Sequence, residues 1–393
     1  MMSESLPRQL GTRSPLDGEN VRLGVIGCGH WGPNHIRVFS ELSRSHVVAC
    51  ADLARSRLDK LQRRFPALRV TTRYEELLSS DEIDAVVIAT PAKTHAAITR
   101  EALWAGKHVL VEKPLCTTSA DAGQLLQLAD SMELVLMVGH VFIFNTGINK
   151  LREVIASDEL GRVVYLDAVR TNLGPIRGDV SVLYDLATHD ISIFNYLLNS
   201  VPVAVSALGR RVCQRSIEDV AFLTLEYPGG VLGHIHVSWL NPRKVRAVTV
   251  VGERKMAFWD DVTLFDKLRL YNKGVEEPPH YDSFGEFQYL IRSDDVQIPK
   301  IDLVEPLVAQ ANAFLDRVLG SDSVNARDDD ALAVIEVVEA ACESMARDGV
   351  LCPVRRRTPS AVGDRSADIR SIRKPLVKGR EKPEHVLSQV DPA

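Results

Sequence analysis

Val21-Arg22-Leu23-Gly24-Val25-Ile26 runs directly into Gly27-Cys28-Gly29-His30-Trp31-Gly32. The first six residues read as a buried strand, and the helical period of residues 31–43 follows at once. Between them lies G-x-G-x-x-G, and each glycine has a separate task. The first permits the tight turn, the second lets the backbone approach a pyrophosphate, and the third lets helix and strand pack closely. The phosphates then rest on free amides at a positive helix N-terminus. A second apolar run, Val47–Ala51, ends at Asp52, which lies 20 residues beyond Gly32. An acid at that spacing hydrogen-bonds the adenosine ribose hydroxyls. Asp52 favours NAD, since it repels the extra phosphate of NADP, although Arg55 and Arg57 follow closely enough to keep NADP open. Gly27, Gly29, His30, Trp31, Gly32 and Asp52 are the cofactor-binding candidates of this segment.

Outward from this motif the same alternation continues. Apolar runs at Asp84–Ala89, His108–Val111 and Leu134–Val138, with a weaker one around Val70, are separated by helical candidates near 54–64, 94–105 and 119–132. Unbroken apolar strands alternating with helices predict a parallel sheet covered on both faces. The character changes near residue 140. A helix near 146–156, a strand at 162–171 and a helix near 182–198 are followed by strands at 202–212, 218–227, 231–240, 244–252 and 254–260. Tyr227-Pro228-Gly229-Gly230 reads as the turn between two of these strands. In Gly233–Leu240, Ile235, Val237 and Trp239 alternate with His234, His236 and Ser238, a period of two that predicts an antiparallel sheet with one open face. Amphipathic helices near 305–319 and 329–346 are expected to close this second domain. Gly320 and Gly349 are their stops, and Asp328–Asp330 suit the second N-terminus.

The expected plan is therefore an α/β Rossmann domain over residues 20–140 and an α+β domain over 141–353, with a large, mostly antiparallel, open-faced sheet. A loose lead-in (1–19) and a basic tail (354–393) flank them. Two domains suit 393 residues, and a net charge of -5 gives no reason to expect nucleic acid. No apolar run is long enough to span a membrane, and no signal-peptide pattern opens the chain. The six cysteines include no C-x-x-C pair. Several lie in apolar runs and read as small core residues, and a reducing, cytoplasmic compartment is expected, with no metal site.

Thr90-Pro91 follows the run ending at Ala89, with His95 just beyond; Glu112-Lys113-Pro114 follows His108–Val111; Gly139-His140 follows Leu134–Val138. Together with the glycine motif, these segments resemble the Gfo/Idh/MocA oxidoreductase family over about residues 20–352. The resemblance implies an enzyme in which Thr90, Pro91, His95, Glu112 and Lys113 join the cofactor site. Lys113 would stand near both the nicotinamide and the reacting hydroxyl. The family's Asp-x-x-x-His element reads Asp185-Leu186-Ala187-Thr188-His189, and a spacing of four puts both side chains on one helix face. In the implied chemistry His189 takes a proton from a sugar hydroxyl, assisted by Lys113, with Asp185 orienting the site; which of Lys113 and His189 is the base stays open.

Within the family, Ile217–Ala221, Val237–Lys244 and Ile298–Asp302 look closest to nucleotide-sugar dehydrogenases that oxidise the 3-hydroxyl of a sugar acid of the UDP-N-acetylglucosaminuronate type, which serve polysaccharide biosynthesis. A charged nucleotide-sugar needs cationic and hydrogen-bonding contacts, for which Arg170, Asn172, Arg177, Asn241, Arg243 and Lys244 are the candidates. The alternatives on this scaffold are a ketosugar reductase, an NAD-dependent glycosidase and a non-catalytic NAD-binding regulator. Retention of Lys113, Asp185 and His189 together argues against the last. The family's open sheet face often packs against a second subunit. A homo-oligomer is therefore expected, with Trp239 and Trp259 as candidate contacts.

Overall fold

The computed structural model describes residues 20–213, 216–276, 290–320 and 329–356. The expected lead-in, nearly all of the expected tail and Asp328 lie outside them.

Six strands form the first sheet: β1 (Val21–Ile26), β2 (Ser45–Ala51), β3 (Arg69–Thr71), β4 (Ala85–Ile88), β5 (His108–Glu112) and β6 (Leu136–Gly139). They lie in the order β3-β2-β1-β4-β5-β6, and every pair is parallel. Helices α1 (Gly32–Glu41), α2 (Arg55–Arg64), α3 (Glu75–Leu78), α4 (Ala92–Trp104) and α5 (Ser119–Ser131) connect them. All four residues of β4 and of β6 are buried, as strands covered on both faces require. The order reverses between β1 and β4, so the C-terminal ends of β1, β4 and β5 open on one crevice, where such sheets bind ligands.

Helix α6 (Thr146–Ala156) leads into the second sheet, which begins with β7 (Val163–Leu173). The helix expected at 182–198 is a π turn, Leu183–Ala187, that continues as α7 (Thr188–Leu198). Strands β8 (Ala204–Arg210), β9 (Val220–Glu226), β10 (Leu232–Ser238), β11 (Leu240–Gly252) and β12 (Met256–Asp260) follow, as the alternation predicts. Gly229 and Gly230 take the positive φ values that the turn between β9 and β10 demands. Two further strands, β13 (Leu268–Glu276) and β14 (Leu290–Gln297), extend the sheet, and the short β15 (Cys352–Pro353) closes its other edge. The pairing is antiparallel except between β7 and β10.

Helix α8 (Pro306–Val318) departs from expectation. Its apolar stripe, Leu307, Ala311, Phe314, Leu315 and Val318, packs into the first domain's core beside Phe39 and Val25. Arg44 fixes it there through Asp316 at 2.6 Å and Asn312 at 3.0 Å. The chain thus returns to the Rossmann domain after building the second sheet. Helix α9 (Asp329–Ala346) then touches both: Ala331 and Leu332 join the first domain's core, and Val334, Val337 and Val338 join the second. Gly320 and Gly349 end the two helices with positive φ. Trp239 and Trp259 are 1% and 0% exposed on the covered face, where aromatic bulk fills the space under α6 and α7, so neither lies on the open face. That face carries Tyr165, Leu232, His234, His236 and Phe222 instead, facing one another across β7, β10 and β9.

Among the described residues, no helix is long and apolar enough to cross a membrane, and no cluster of His, Cys, Asp or Glu is arranged to hold a metal.

Candidate active site

The glycine turn sits at the end of β1. A Cβ on Gly27 would lie 2.6 Å from the Ala89 carbonyl oxygen, and one on Gly32 would collide with the carbonyl oxygen of Gly27. Packing within the chain fixes both. At Gly29, by contrast, nothing in the chain lies within 4 Å of where a Cβ would stand. The reason for that glycine lies outside the chain, at the position where backbone must approach a pyrophosphate. Helix α1 has no side-chain cap and no acid in its first turn, so its N-terminus is open to an anion. His30 and Trp31 meet edge to face at 5.4 Å, with Trp31 40% exposed at the mouth of this cradle.

Asp52 follows directly on β2, and its carboxylate is engaged within the chain. One carboxylate oxygen accepts the Cys28 amide at 2.7 Å and the other accepts Ala54 N–H at 2.7 Å. Arg57 approaches it at 3.4 Å. In this arrangement Asp52 fixes the glycine turn, and the roughly four lone-pair sites of a carboxylate still leave room to accept from ribose hydroxyls.

Thr90 and Pro91 lead into α4, with Pro91 at its N-cap, and His95 lies in its first turn. Thr94 Oγ1 donates to Thr90 Oγ1 at 2.8 Å, while the His95 ring, 1% exposed, reaches only backbone carbonyls. Glu112, at the end of β5, lies 2.8 Å from Nε2 of the buried His35. Its neighbour Lys113 points the other way, into the second domain. Lys113 Nζ donates to the Asp185 carbonyl oxygen at 2.5 Å and to Asp185 Oδ1 at 3.2 Å.

The π turn presents Asp185. Its carboxylate also accepts from Arg177 Nη1 at 3.0 Å and Trp239 Nε1 at 3.1 Å. Burial works to raise the Asp185 pKa, but Lys113 and Arg177 outweigh it and hold the carboxyl below its ordinary value. Burial lowers the Lys113 pKa from its ordinary value, with Arg177 adding to the effect and Asp185 and Glu112 opposing it. His189 stands edge-on to Phe142 at 4.9 Å, and its Nδ1 is buried without a partner. Burial above all, then the charges of Lys113 and Arg170, keeps its pKa well below the usual histidine value, so the ring is neutral at neutral pH.

The structure brings Lys113, Asp185 and Arg177 into direct contact and sets His189 beside them. Arg170 is bound to Asp190 by bonds of 2.7–3.1 Å and stacks on Phe142 at 4.2 Å. It is 4% exposed, so it acts as a buried strut and not as an open cation for substrate. Asn172 donates to the Gly174 carbonyl at 2.6 Å. Asn241, Arg243 and Lys244 fall where the β7–β11 register slips between Leu240 and Val245. Arg243 and Lys244 are exposed there, and Asn241 Oδ1 caps the Arg243 amide. Four neighbours of these residues lie outside the site reading: His140, Phe142, Trp239 and Arg246, whose guanidinium lies 5.9 Å from the Phe142 ring and whose charge reaches His189. His140 is buried at the end of β6, where burial and then Lys113 lower its pKa to about 4. Its place after Gly139 was a signal; Phe142 and Arg246 had none in sequence.

A glycine cradle at one strand end, a buried lysine two strands across and an Asp/His-bearing helix from a second domain together define a dinucleotide-dependent oxidoreductase. Comparison with known proteins agrees. Residues 21–140 match the profile described as "Oxidoreductase family, NAD-binding Rossmann fold", and residues 148–258 match the "GFO/IDH/MocA C-terminal domain". The chain is 30% identical to the UDP-N-acetylglucosamine 3-dehydrogenase of Acidithiobacillus ferrooxidans over 77% of this chain and 93% of that one. It is 31% identical to inositol 2-dehydrogenase 2 of Saccharopolyspora erythraea over 55% of this chain and 66% of that one. The crystal structure of GenD2 from gentamicin A biosynthesis, in complex with NAD, is similar at 27% identity and a TM-score of 0.73, covering 88% of this chain and all of that one (100%). The chain belongs to the Gfo/Idh/MocA oxidoreductase family, and its first domain is an NAD-binding Rossmann domain.

Proposed function

We propose that the protein is an NAD-dependent dehydrogenase that oxidises a secondary hydroxyl of a sugar, with a nucleotide-linked sugar or sugar acid oxidised at position 3 as the narrower assignment. The observation that carries the reading is the direct bond from Lys113, at the rim of the NAD-binding sheet, to Asp185, on the helix that also bears His189. The glycine turn and the start of α1 would hold the cofactor, which when bound supplies the hydride acceptor. His189 is uncharged at neutral pH and accepts the hydroxyl proton. Lys113 orients the same oxygen and stabilises negative charge as it develops. Asp185 keeps Lys113 in place and, through Arg177 and Trp239, fixes the wall around it. The similarity to a UDP-N-acetylglucosamine 3-dehydrogenase supports the narrower assignment, as do the exposed Arg243 and Lys244 and the part-exposed Arg177. The six free thiols fit a cytoplasmic enzyme. The exposed Tyr165, Phe222 and Leu232 on the open sheet face favour a second copy packing there.

The test is NADH absorbance from purified protein and NAD with UDP-N-acetylglucosamine, UDP-N-acetylglucosaminuronate or myo-inositol. Parallel reactions contain a 2-oxo acid, to recycle tightly held NADH, and products are analysed. An oxidised nucleotide-sugar, lost in Lys113→Ala, is the expected result. Oxidised inositol alone removes the narrower assignment. Cleavage without net NADH, or NAD binding with no product, overturns the reading.

A further inference from the structure

The His95 ring is held in an unusual way. Nδ1 lies 2.7 Å from the Pro114 carbonyl oxygen and Nε2 lies 2.8 Å from that of Thr90. The two carbonyls belong to different strand ends. Thr90 follows β4, and its backbone packs on the glycine turn: a Cβ on Gly27 would lie 2.8 Å from Thr90 N. Pro114 follows β5, and its carbonyl is one peptide beyond Lys113. Proline has no N–H, so this loop cannot anchor itself through the amide of residue 114. A rigid five-membered ring, 1% exposed, therefore spans the gap between the cofactor turn and the loop that carries Lys113.

We propose that His95 is a positioning residue that sets the distance between the Gly27 turn and Lys113. The inference rests on the reading of Lys113 as a residue of the active site. A neutral imidazole donates a single hydrogen and sets a lone pair against the second carbonyl, whereas the charged ring satisfies both. Burial lowers the His95 pKa, the Pro114 and Thr90 carbonyls work to raise it, and Glu112 and Arg177 add smaller opposing effects. The groups that face Lys113 in turn are Asp185, Glu112 and Arg177, with His140 and His189 alongside. Loosening the Pro114 loop admits water to Lys113 and moves its titration towards that of a free lysine.

Two measurements on His95→Ala and His95→Gln test this. With the sugar substrate, His95→Ala is expected to lower kcat about 100-fold, the cost of an error of about 1 Å in placement, while NADH affinity stays within about threefold. His95→Gln, which keeps one donor, recovers part of the loss. The second measurement needs no substrate: competitive acylation by an amine-reactive reagent across pH, read at Lys113 by mass spectrometry. The Lys113 pKa is expected to rise in His95→Ala and to rise less in His95→Gln. If His95→Ala does not fold, the partial shift in His95→Gln carries the test. An unchanged Lys113 titration in the folded variants overturns the proposal, whether or not NADH affinity falls. A shifted titration in a protein whose wild type oxidises none of the sugars leaves His95 as proposed and removes the dehydrogenase reading.

Discussion

Asp185 and Asp190 stand one turn apart on the same helical segment, each bonded to a cation, and their pKa values are pushed in opposite directions. Asp185 faces the crevice, shares Lys113 with its own backbone carbonyl, and is held below its ordinary pKa by two cations against its burial. Asp190 points into the core. Its side chain is 2% exposed and is bonded to Arg170, and burial pushes its pKa up against the charges of Arg170 and Arg246. In the first pair Arg177, itself tied to Asp179 at 2.6 Å, also holds the Asp185 carboxylate at 3.0 Å, so the lysine can turn towards a substrate oxygen without stranding it. In the second pair both side chains are almost wholly buried, 4% and 2% exposed, so a charge that left its partner would be stranded in the core. A buried pair of that kind is weak support for stability, yet costly to break from one side. The comparison separates a pair built for exchange from a pair built for shape.

The largest expected effect is at the exchangeable pair. Lys113→Ala should lower kcat by about 100- to 1,000-fold, the usual range for loss of a donor that stabilises developing negative charge. Its thermal unfolding should stay close to wild type, since a buried cation and its desolvation cost leave together. Steady-state kinetics with NADH detection and a melting curve check both halves. A variant that melts early but turns over normally reverses the assignment of the two pairs.

Arg170→Leu addresses the other pair. It leaves Asp190 buried without its partner and should cost about 3–5 kcal/mol of stability. The double variant Arg170→Leu/Asp190→Leu should recover most of that, because two apolar side chains need no pairing. Urea unfolding of the three proteins decides it. A double variant as unstable as the single one would show that the guanidinium's stack on Phe142, and not the ion pair, holds this part of the site.

His140 sharpens the comparison through pH. Its folded pKa is about 4, well below the ordinary histidine value, so the folded state binds fewer protons than the unfolded state between those limits. Stability therefore rises with pH across this window and is lost as pH falls below about 6.5, by on the order of 3 kcal/mol at the acid end. His140→Gln should flatten that slope and leave unfolding above pH 7 nearly unchanged. His189, depressed in the same direction, keeps part of the slope in the variant, so the slope should shrink without vanishing.

Most of the fold was legible because period and punctuation suffice for it. Val21–Ile26, the glycine turn and the run ending at Asp52 mark a strand, a turn, a helix and a second strand with no tertiary information. Periodicity states that a helix has a buried face but not what buries it. Helix α8 was therefore assigned to the domain it follows in sequence, although Phe314 packs against Phe39 of the first. Alternation assigned Ile235, Val237 and Trp239 to one face correctly, yet the choice of covered or open face rests on where α6 and α7 lie. At the site, Lys113, Asp185 and His189 were visible through their motifs. A partner distant in sequence, such as Asp190 for Arg170 or Trp239 for Asp185, leaves no mark in local spacing. The π turn was invisible as well, since its extra residue per turn alters the direction of Asp185 without altering composition.

The smallest effect lies on the open face of the second sheet, where a third acid–base pair tests the contrast from outside. His234 Nδ1 is 2.7 Å from Asp167 Oδ1, with the two side chains 46% and 35% exposed. Its hydrogen bond to Asp167 raises the His234 pKa, against a smaller burial effect. The pair therefore contributes below the unfolded histidine pKa and loses its contribution as pH rises through the folded one, the opposite sign to His140. Water and salt screen so exposed a pair, and His234→Gln should change stability by less than about 1 kcal/mol at pH 6 and by nothing measurable at pH 8. Melting curves at both pH values and at two protein concentrations provide the check. A larger, concentration-dependent loss at pH 6 would mean that the pair is shielded from water by a second copy of the chain. Asp167 would then belong with Asp190, as a carboxylate whose partner cannot leave.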